Sequence, residues 1–261
     1  MKYKEANERK TTTDAGIITI ALLVARYFVG NIESSLSLVR YTSLIPNIFS
    51  KSWVNRRLHK IGEVFSELFF YFRQTVKELT GNSTYCIDSF PVPVCQNIRS
   101  SSSRIIKGEQ YRGYCASKWC YVYGYKVHMI ITSDGMPVEF TFTSAGTHDI
   151  DEFGQLSVNL PQDSEILSDA AYTDYLFEDR LADNGIKLST ARKTNSRRMH
   201  QPWAEYLMTN RRKRIETIFN DIAKYLPKTI HAVTDIGFLS KLAAFFWAYT
   251  FEKLDKLKLA T

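Results

Sequence analysis

The amino-acid sequence predicts an α/β domain with a mixed β-sheet, preceded by a small helical domain. Up to about residue 82 the apolar residues recur at helical spacing. After it, strand-like runs come first and then alternate with helical patterns. The chain has 261 residues, enough to bury a sizeable core, and its hydrophobic content of 44% is that of an ordinary globular protein. We therefore assign residues 1–82 to the helical domain and residues 83–261 to the α/β domain.

Three helices are expected in the first domain, at about residues 15–29, 33–42 and 50–79. Thr13 and Asp14 can cap the first helix, and Gly30 can end it. Ser50 or Ser52 can cap the third, which the sequence Gly81-Asn82 should end.

The third helix is the basic one. Its first turns carry Arg56, Arg57 and Lys60 on one side. Three helices of which the last is basic suggest a helix-turn-helix module whose positive residues contact DNA. A solvated helix surface explains the same pattern equally well, so the spacing alone leaves both interpretations open.

The second domain contains strands and helices in turn. Strands are expected at about residues 84–88, 121–131, 138–143, 164–168 and 186–191, and helices after Asp149 and at about 174–184, 208–226 and 237–251. Pro91 and Pro93 should end the first strand, and Ser133-Asp134-Gly135 supplies a hairpin turn. Residues 98–118, rich in Ser, Arg, Lys and Gly, are expected to form a mobile loop.

Three acidic residues stand out by their positions. Asp88 ends the first strand, Asp169 follows the strand at 164–168, and Glu216 lies within a later helix. Acids at strand ends can converge beside a central sheet, and a helix packed on that sheet can add a third. Carboxylate oxygens are the ligands that Mg²⁺ prefers, with water and substrate phosphate completing its coordination. Two such ions can activate an attacking oxygen and stabilise a leaving one.

The helix that carries Glu216 is amphipathic and basic. Its apolar stripe consists of Ile215, Ile218, Phe219, Ile222 and Leu226. Arg212 and Lys213 lie one turn before Glu216 on the same side, where they could hold a scissile phosphate while the acid holds a metal ion. An exposed acid with basic neighbours at i−4 and i−3 is the simpler interpretation of this helix taken alone.

A basic stretch precedes this helix. It contains Lys187, Arg192, Lys193, Arg197 and Arg198, followed by Trp203 and Tyr206. Basic groups interleaved with aromatic rings suit the DNA backbone and unpaired bases. An ordinary solvated loop is the alternative, and the position just before Glu216 favours DNA.

Three other residues are weaker candidates. His148 and Asp149 could support the metal ligands or act as a general base, although a loop histidine followed by a helix-capping aspartate explains them too. Lys126 shares a strand face with His128, and this face either meets the substrate or is a less buried side of the sheet. The sequence lacks the motifs of nucleotide hydrolysis, serine hydrolysis and dinucleotide binding.

Composition and charge limit the partners. The net charge of +7 favours a polyanionic partner, because bound Lys and Arg side chains release phosphate counterions, although many basic proteins bind no nucleic acid. The spacing of the four cysteines fits small buried side chains in a reducing compartment better than zinc ligands. No apolar segment reaches the roughly 20 residues that span a bilayer. We therefore expect a cytoplasmic protein without a membrane partner.

Several short motifs resemble those of bacterial DDE transposases of the insertion sequence 982 family. They are Ile87-Asp88-Ser89-Phe90-Pro91-Val92-Pro93-Val94-Cys95, Tyr111-Arg112-Gly113-Tyr114, Tyr123-Gly124-Tyr125-Lys126-Val127-His128, Asp169-Ala170-Ala171-Tyr172, Arg214-Ile215-Glu216-Thr217-Ile218-Phe219, His231-Ala232-Val233-Thr234 and Gly237-Phe238. Each motif is weakly specific alone, but their order and spacing together are specific. The resemblance runs from about residue 13 to residue 250.

The resemblance implies a ribonuclease H-like fold and metal-dependent cleavage and strand transfer of DNA at the terminal inverted repeats of the element. It implies that Asp88, Asp169 and Glu216 are catalytic ligands of Mg²⁺, or of Mn²⁺ in its place. Water and then a DNA 3′-hydroxyl would be the nucleophiles, without a covalent enzyme intermediate. Because two element ends must be brought together, a homo-oligomer on double-stranded DNA is expected, in the nucleoid of a bacterium.

Two departures from the family pattern favour a different function. Ala170 stands where many related transposases carry Lys directly after the second acid, and Gly16 stands where an acid is expected, in an N-terminus that is shorter than usual. These features suit a catalytically inactive transposase remnant that occupies inverted repeats through residues 1–80 as a DNA-binding protein. A ribonuclease H-like nuclease that cuts but never joins is a third alternative.

Overall fold

A computed structural model describes residues 12–45, 50–116, 119–148 and 158–258. Its helices are α1 Asp14–Tyr27, α2 Ile32–Thr42, α3 Lys51–Lys60, α4 Gly62–Thr80, α5 Tyr175–Asp183, α6 Pro202–Tyr225 and α7 Asp235–Lys258. Its strands are β1 Thr84–Cys95, β2 Arg112–Cys115, β3 Cys120–Thr132, β4 Pro137–Ser144, β5 Glu165–Ser168 and β6 Lys187–Thr190. Short 3-10 helices cover Asn97–Ser102, Glu109–Tyr111 and Ala170–Tyr172.

The chain forms two compact units. The helical unit contains the residues up to Phe69 together with those from Leu226 onward, and the sheet unit contains Phe70–Tyr225. The C-terminal helix α7 therefore groups with the N-terminal helices, whereas the sequence placed it in the α/β domain. An apolar helix face shows that a partner surface exists, but it does not show which surface it is.

In the helical unit, α1 packs against α2, α3 and α7. Thr13 caps α1, because its Oγ1 accepts a hydrogen bond from the Gly16 N–H at 3.2 Å. The chain changes direction by 117° between α1 and α2, through a short connection in which Gly30 has a φ of +87°. Side chains that are almost wholly buried form the core, among them Ile17, Ile20, Leu36, Val54, Phe238 and Leu242.

The third expected helix is interrupted. Instead of one helix to about residue 79, α3 ends at Lys60 and α4 starts at Gly62, while Ile61 between them is buried. Glycine is a weak helix former because it loses more backbone freedom than other residues do. Ser50, rather than Ser52, is the cap of α3.

Within the described residues, no single helix has both the length and the apolar character that crossing a bilayer requires, and the bent pair of α1 and α2 reaches them only when taken together.

The sheet unit contains six strands. The path of hydrogen-bonded neighbours is β2-β3-β1-β5-β6, and β4 also pairs with β3. The pairs β1–β3 and β3–β4 are antiparallel, whereas β1–β5 and β5–β6 are parallel. The antiparallel strands β1, β3 and β4, followed by β5 and β6 parallel to β1, form the ribonuclease H-like arrangement. The predicted α/β fold class with a mixed sheet is confirmed.

Strand β1 continues through its two prolines, contrary to the prediction. Pro91 and Pro93 pair with Lys126 and Gly124 of β3. They are two positions apart, so their nitrogens point the same way along the ladder. Beyond Cys86, no described strand pairs with the other edge of β1. Since proline lacks an N–H, it is tolerated where the nitrogen faces an open strand edge.

The expected loop at 98–118 has more regular structure than predicted. It includes β2, which pairs with β3 from Arg112↔Tyr123 to Cys115↔Cys120. Gly113 lies in this strand, where a Cβ would come within 1.9 Å of the Ala145 carbonyl oxygen. Gly113, which the sequence analysis placed in a loop, is thus needed for the close approach of β2 to the backbone of Ala145. The helix expected after Asp149 lies outside the described residues.

The two faces of the sheet are covered by different helices. Cross-strand pairing places Cys86, Asp88 and Phe90 on one face, which we call the acid face. Helix α6 packs against β1 and β5 on that face. The opposite face carries Glu139, which pairs with residues of the second half of α4.

A buried ionic cluster joins α4 to β4. The Lys77 Nζ and the Glu139 Oε1 are 3.2 Å apart, with only 2% and 3% of the two side chains exposed. Arg73 approaches the same oxygen at 3.1 Å, and Lys77 also donates to the carbonyl of Asn159. Burial lowers the pKa of Lys77 and raises that of Glu139, and their mutual attraction opposes both shifts.

The cysteines should differ in reactivity because they are buried to different extents. Cys86 is buried on the acid face, and burial raises the pKa of its thiol to about 12, whereas Cys120 is exposed. Because the thiolate is the nucleophile, iodoacetamide at about pH 8 should alkylate Cys120 in the native protein and leave Cys86 unmodified. Peptide mass spectrometry measures both sites, and denaturant should make Cys86 reactive. Rapid alkylation of Cys86 in the native protein would contradict this packing.

Candidate active site

Asp88 and Asp169 lie at corresponding positions on neighbouring parallel strands. The last paired residues of β1 and β5 are Cys86 and Leu167, and each acid lies two residues beyond its own member of that pair. Paired positions of parallel strands point to the same face, about 4.8 Å apart. Continued beyond the last paired residues, this register places Asp88 and Asp169 on the acid face, near the end of β5. Asp88 itself is in the middle of β1, not at its end as the sequence suggested.

Backbone donors orient both carboxylates. The Ser89 N–H donates to the Asp88 Oδ1 at 2.8 Å, and the Ala170 N–H donates to the Asp169 Oδ1. Asp169 is also the N-cap of the 3-10 helix Ala170–Tyr172, so its backbone direction is set by the start of that helix. Both side chains are half-buried. A metal ligand needs this combination of fixed orientation and access to solvent.

Helix α6 covers the acid face beside these carboxylates. The rings of Phe219 and Phe90 lie 6.4 Å apart, and Phe90 follows Asp88 by two positions on the same face. Toward the start of β5, the Arg211 Nη1 lies 3.4 Å from the Glu165 Oε2. Phe219 and Ile222 are 5% and 1% exposed, so this stripe of α6 is the packed one, as predicted.

Glu216 lies on the border of the packed stripe. It is exposed, and its direction around the helix axis differs from that of the buried Phe219 by about 60°. Ile218, about 160° away from Glu216, instead faces the β3–β4 turn, where a Cβ at Gly135 would lie 2.7 Å from its Cγ2. That turn is next to the start of β1, because Ser133 donates to the Thr84 carbonyl. Glu216 therefore lies on the helix edge that is directed away from the start of β1.

The donor set fits a metal ion that is completed by substrate. In the described part of the chain, no three His, Cys, Asp or Glu side chains are grouped closely enough to hold a metal ion by themselves. Magnesium, however, is usually bound by one or two carboxylates together with water and substrate phosphate. The adjacent pair of Asp88 and Asp169 meets this requirement, with Glu216 available from α6.

Two of the predicted DNA-binding arginines have structural partners. The Arg192 Nη2 donates to both carboxylate oxygens of Glu178, at 2.7 and 2.8 Å, and its side chain is 1% exposed. Arg198 forms a two-point pair with Asp179, at 2.7 and 2.9 Å. These pairs tie both ends of the loop 192–198 to α5. Burial of Arg192 argues against the DNA contact that the sequence suggested.

The middle of this loop has a different environment. Lys193 and Arg197 are exposed and have no ion-pair partner among the described residues. They line an open pocket of about 390 Å³ together with Thr173, Tyr175, Asn195, Ser196 and residues 170–171. We call it the basic pocket. Its wall begins at the residue directly after Asp169.

Lys126 faces away from the acids. Its partner in β1 is Pro91, so it lies on the sheet face opposite Asp88, and its Nζ donates to the Thr147 carbonyl at 2.7 Å. Of the two interpretations left open for Lys126, contact with a substrate beside the acids does not fit this register. His148 is exposed beyond the end of β4, which β3 separates from β1. Asp149 lies outside the described residues.

The basic residues of α3 also divide into two groups. Arg56 and Lys60 are exposed. Arg57 is half-buried and ties α3 to α1, because its Nη2 lies 2.6 Å from the Asp14 Oδ1. At about 40% exposure on each side, such a pair stabilises by roughly 1 kcal/mol at most. On α6, the side chains of Arg212 and Lys213 lie outside the described residues.

The sequence analysis did not identify the acidic residues that form ion pairs with two of the basic residues in the loop 192–198. Glu178 and Asp179 on α5 match Arg192 and Arg198 in the following loop, and this charge pattern was visible in the sequence. It also missed Tyr175, whose ring lies between the two guanidinium groups, 5.6 and 4.9 Å from their central carbons. Trp203 and Tyr206 are exposed as expected, but on the first turns of α6, which starts earlier than predicted.

Comparison with known proteins identifies the family. A model described as "Transposase DDE domain" matches residues 78–233. No curated protein matches the chain. The piggyBac transposase in a synaptic complex with hairpin DNA is similar, with a TM-score of 0.41 and 10% identity over 67% of this chain and 48% of that chain. The Mos1 transposase in a paired-end complex with the left transposon end has a TM-score of 0.28 and 9% identity over 97% and 82%.

The chain spans about half the length of the piggyBac transposase chain that it matches. Both structural likenesses are distant, whereas the family model covers more than half of this chain, including β1 with Asp88, β5 and α6 with Glu216. The chain belongs to the transposase DDE domain family.

Proposed function

We propose that this protein is a bacterial insertion-sequence transposase of the insertion sequence 982 family, which cleaves DNA at terminal inverted repeats and joins the ends to a target. The observation that carries the proposal is the placement of Asp88 and Asp169 at matching positions beyond the β1–β5 ladder. The packing of the Glu216 helix on the same face supports it.

In this proposal Asp88 and Asp169 hold Mg²⁺, or Mn²⁺ in its place, and Glu216 contributes a third carboxylate from α6. A bound divalent ion would lower the barrier to attack on a phosphodiester by stabilising charge on the attacking and leaving oxygens. The Ser89 and Ala170 N–H groups, which donate to Asp88 and Asp169, would hold the two carboxylates in place for the ion. Preset orientation matters because a misplaced ligand reduces the rate steeply.

DNA would be held by exposed basic residues of both units. Residues 1–82 would read the inverted repeats, with Arg56 and Lys60 on the backbone phosphates. In the sheet unit, Lys193 and Arg197 would bind the strand near the aspartates. Arg212 and Lys213 of α6 remain proposed contacts from sequence. Two copies of the protein would pair two double-stranded ends, in the bacterial cytoplasm at the nucleoid.

Cleavage of the element ends tests this proposal. The protein and its Glu216→Gln variant are incubated with DNA that carries the ends flanking the gene, with and without Mg²⁺. Strand cleavage at the end that requires the metal and disappears in the variant is expected. An added precut end with a free 3′-hydroxyl should be joined to target DNA. Cleavage that is never followed by joining would indicate a nuclease, and binding without cleavage under any metal would exclude the catalytic role.

A DNA-binding remnant without catalysis is the second candidate, and Ala170 favours it, because many related transposases have Lys there. The basic pocket weakens this argument. Residues 170–171 line the same pocket as Lys193 and Arg197, so the pocket that follows Asp169 carries positive charge although position 170 carries none.

A further inference from the structure

The loop 192–198 contains four basic residues, of which two form ion pairs with α5 and two are exposed to solvent. Arg192 and Arg198 pair with Glu178 and Asp179, and Glu205 accepts the Arg192 N–H at 3.3 Å. Lys193 and Arg197 lie between these anchors, on the exposed side. A loop fixed at both ends loses little further freedom when it binds a ligand, which favours affinity.

Tyr175 stabilises the conformation of the loop through hydrogen bonds. Its Oη lies 2.8 Å from the Ser196 Oγ and accepts the Arg197 N–H at 3.0 Å. The hydrogen bond with Ser196 holds the pKa of Tyr175 below its usual value, and its ring lies over the guanidinium groups of both anchoring arginines. The backbone at Arg197 is therefore held directly by the pocket wall.

The lining of the basic pocket indicates an anionic ligand. It presents one ammonium, one guanidinium, the Asn195 amide and the Thr173 and Ser196 hydroxyls, and no carboxylate lines it among the described residues. Arg and Lys side chains with neutral donors around them are the usual partners of phosphate oxygens. The pocket is open, so a phosphate that belongs to a longer strand can enter.

We propose that the basic pocket binds one backbone phosphate of the DNA strand that is cut, one or two phosphates away from the phosphate held at Asp88 and Asp169. Residues 170 and 171, which directly follow Asp169, line the pocket, and this is the basis for placing the bound phosphate close to the one at the aspartates. Lys193 and Arg197 are positioning residues that fix where along the strand the cut falls. This proposal rests on the proposed function for the location of the cut.

The salt dependence of DNA binding tests the pocket without metal, so that no cleavage occurs. The probe is a fluorescent duplex carrying one element end, and its affinity is measured by anisotropy over a range of salt concentrations. Each lost phosphate contact should reduce the slope of log K against log salt by about 0.9. The Lys193→Ala/Arg197→Ala double variant should lower this slope by about 1, and the Lys224→Ala control, an exposed lysine of α6, should leave it unchanged.

The register is tested by replacing single phosphates with neutral methylphosphonates. In the wild-type protein, one position within two phosphates of the cut should weaken binding, and the double variant should no longer distinguish that position. Inorganic phosphate, added at equal ionic strength, should compete only weakly. An unchanged slope, or the same methylphosphonate profile in both proteins, would overturn the proposal.

The two proposals can fail separately. A protein that binds through the pocket but never cleaves would retain the phosphate-binding site and lose both the catalytic proposal and the position of the cut. A protein that cleaves while the double variant keeps both the slope and the methylphosphonate profile would lose only the pocket. Thermal unfolding of the double variant should match that of the wild type, because both side chains are exposed.

Discussion

Replacement of Asp169 by asparagine is expected to lower the rate of metal-dependent DNA cleavage by at least about 1,000-fold. The change removes one of two adjacent charges that would hold the metal ion, and the charge stabilisation supplied by such an ion amounts to several kcal/mol in the transition state. Asparagine keeps the shape of the side chain and can still accept the Ala170 N–H that caps the following 3-10 helix. Fold and DNA affinity should therefore be retained.

Single-turnover cleavage of an element end measures this effect, with binding of the same DNA measured in parallel. Asp183→Asn is the matched control, because Asp183 is an exposed residue at the end of α5. Asp88→Asn should give a similar loss, and the double variant should lose little more, since two ligands of one site act as a unit. Cleavage by Asp169→Asn at a rate near that of the wild type would remove this residue from the site.

The Glu139→Gln substitution is expected to reduce the free energy of unfolding by about 3–5 kcal/mol. It removes the buried negative charge and leaves the Lys77 ammonium, 2% exposed, without its carboxylate partner. The uncompensated buried charge, more than the lost attraction, causes the cost. Urea unfolding followed by circular dichroism measures the change, provided that the transition of the sheet unit is resolved from that of the helical unit.

The double variant Lys77→Met/Glu139→Gln separates these two causes. It removes the buried ammonium as well, so most of the lost stability should return, and Arg73, with 13% of its side chain exposed, can turn toward solvent. The exposed pair of Lys256 and Glu252 on α7 provides the contrast, because Glu252→Gln should change stability by less than about 1 kcal/mol. Equal losses in the single and double variants would contradict the proposed cause.

Local patterns predicted the elements that depend on short stretches of sequence. The period-two alternation from Tyr123 to Ile131 predicted β3, and the cap at Thr13 and the stop at Gly30 predicted α1. The same patterns gave the wrong result where tertiary contacts decided. Pro91 and Pro93 remain within β1 because its outer edge is open there, which depends on the short length of a strand 70 residues later in the sequence.

The candidate site was only partly visible in the sequence for the same reason. Motifs and order along the chain indicated Asp88, Asp169 and Glu216, but not that the first two each lie two residues beyond the last pair of one parallel ladder. Charge counting could not distinguish the buried Arg192 from the exposed Lys193 next to it. That difference depends on which residue faces Glu178, and strand register likewise turned Lys126 to the face away from the acids.

The sequence by itself determined the fold class and the family resemblance, and it singled out the three acids that are proposed as metal ligands, because these depend on apolar periodicity and on residue types at characteristic separations. Only the tertiary structure decided which cations remain available, where the basic pocket lies, and that α7 joins the N-terminal helices. These features arise from contacts between residues distant in the chain. Their partners are selected by packing and register, which no local stretch of sequence encodes.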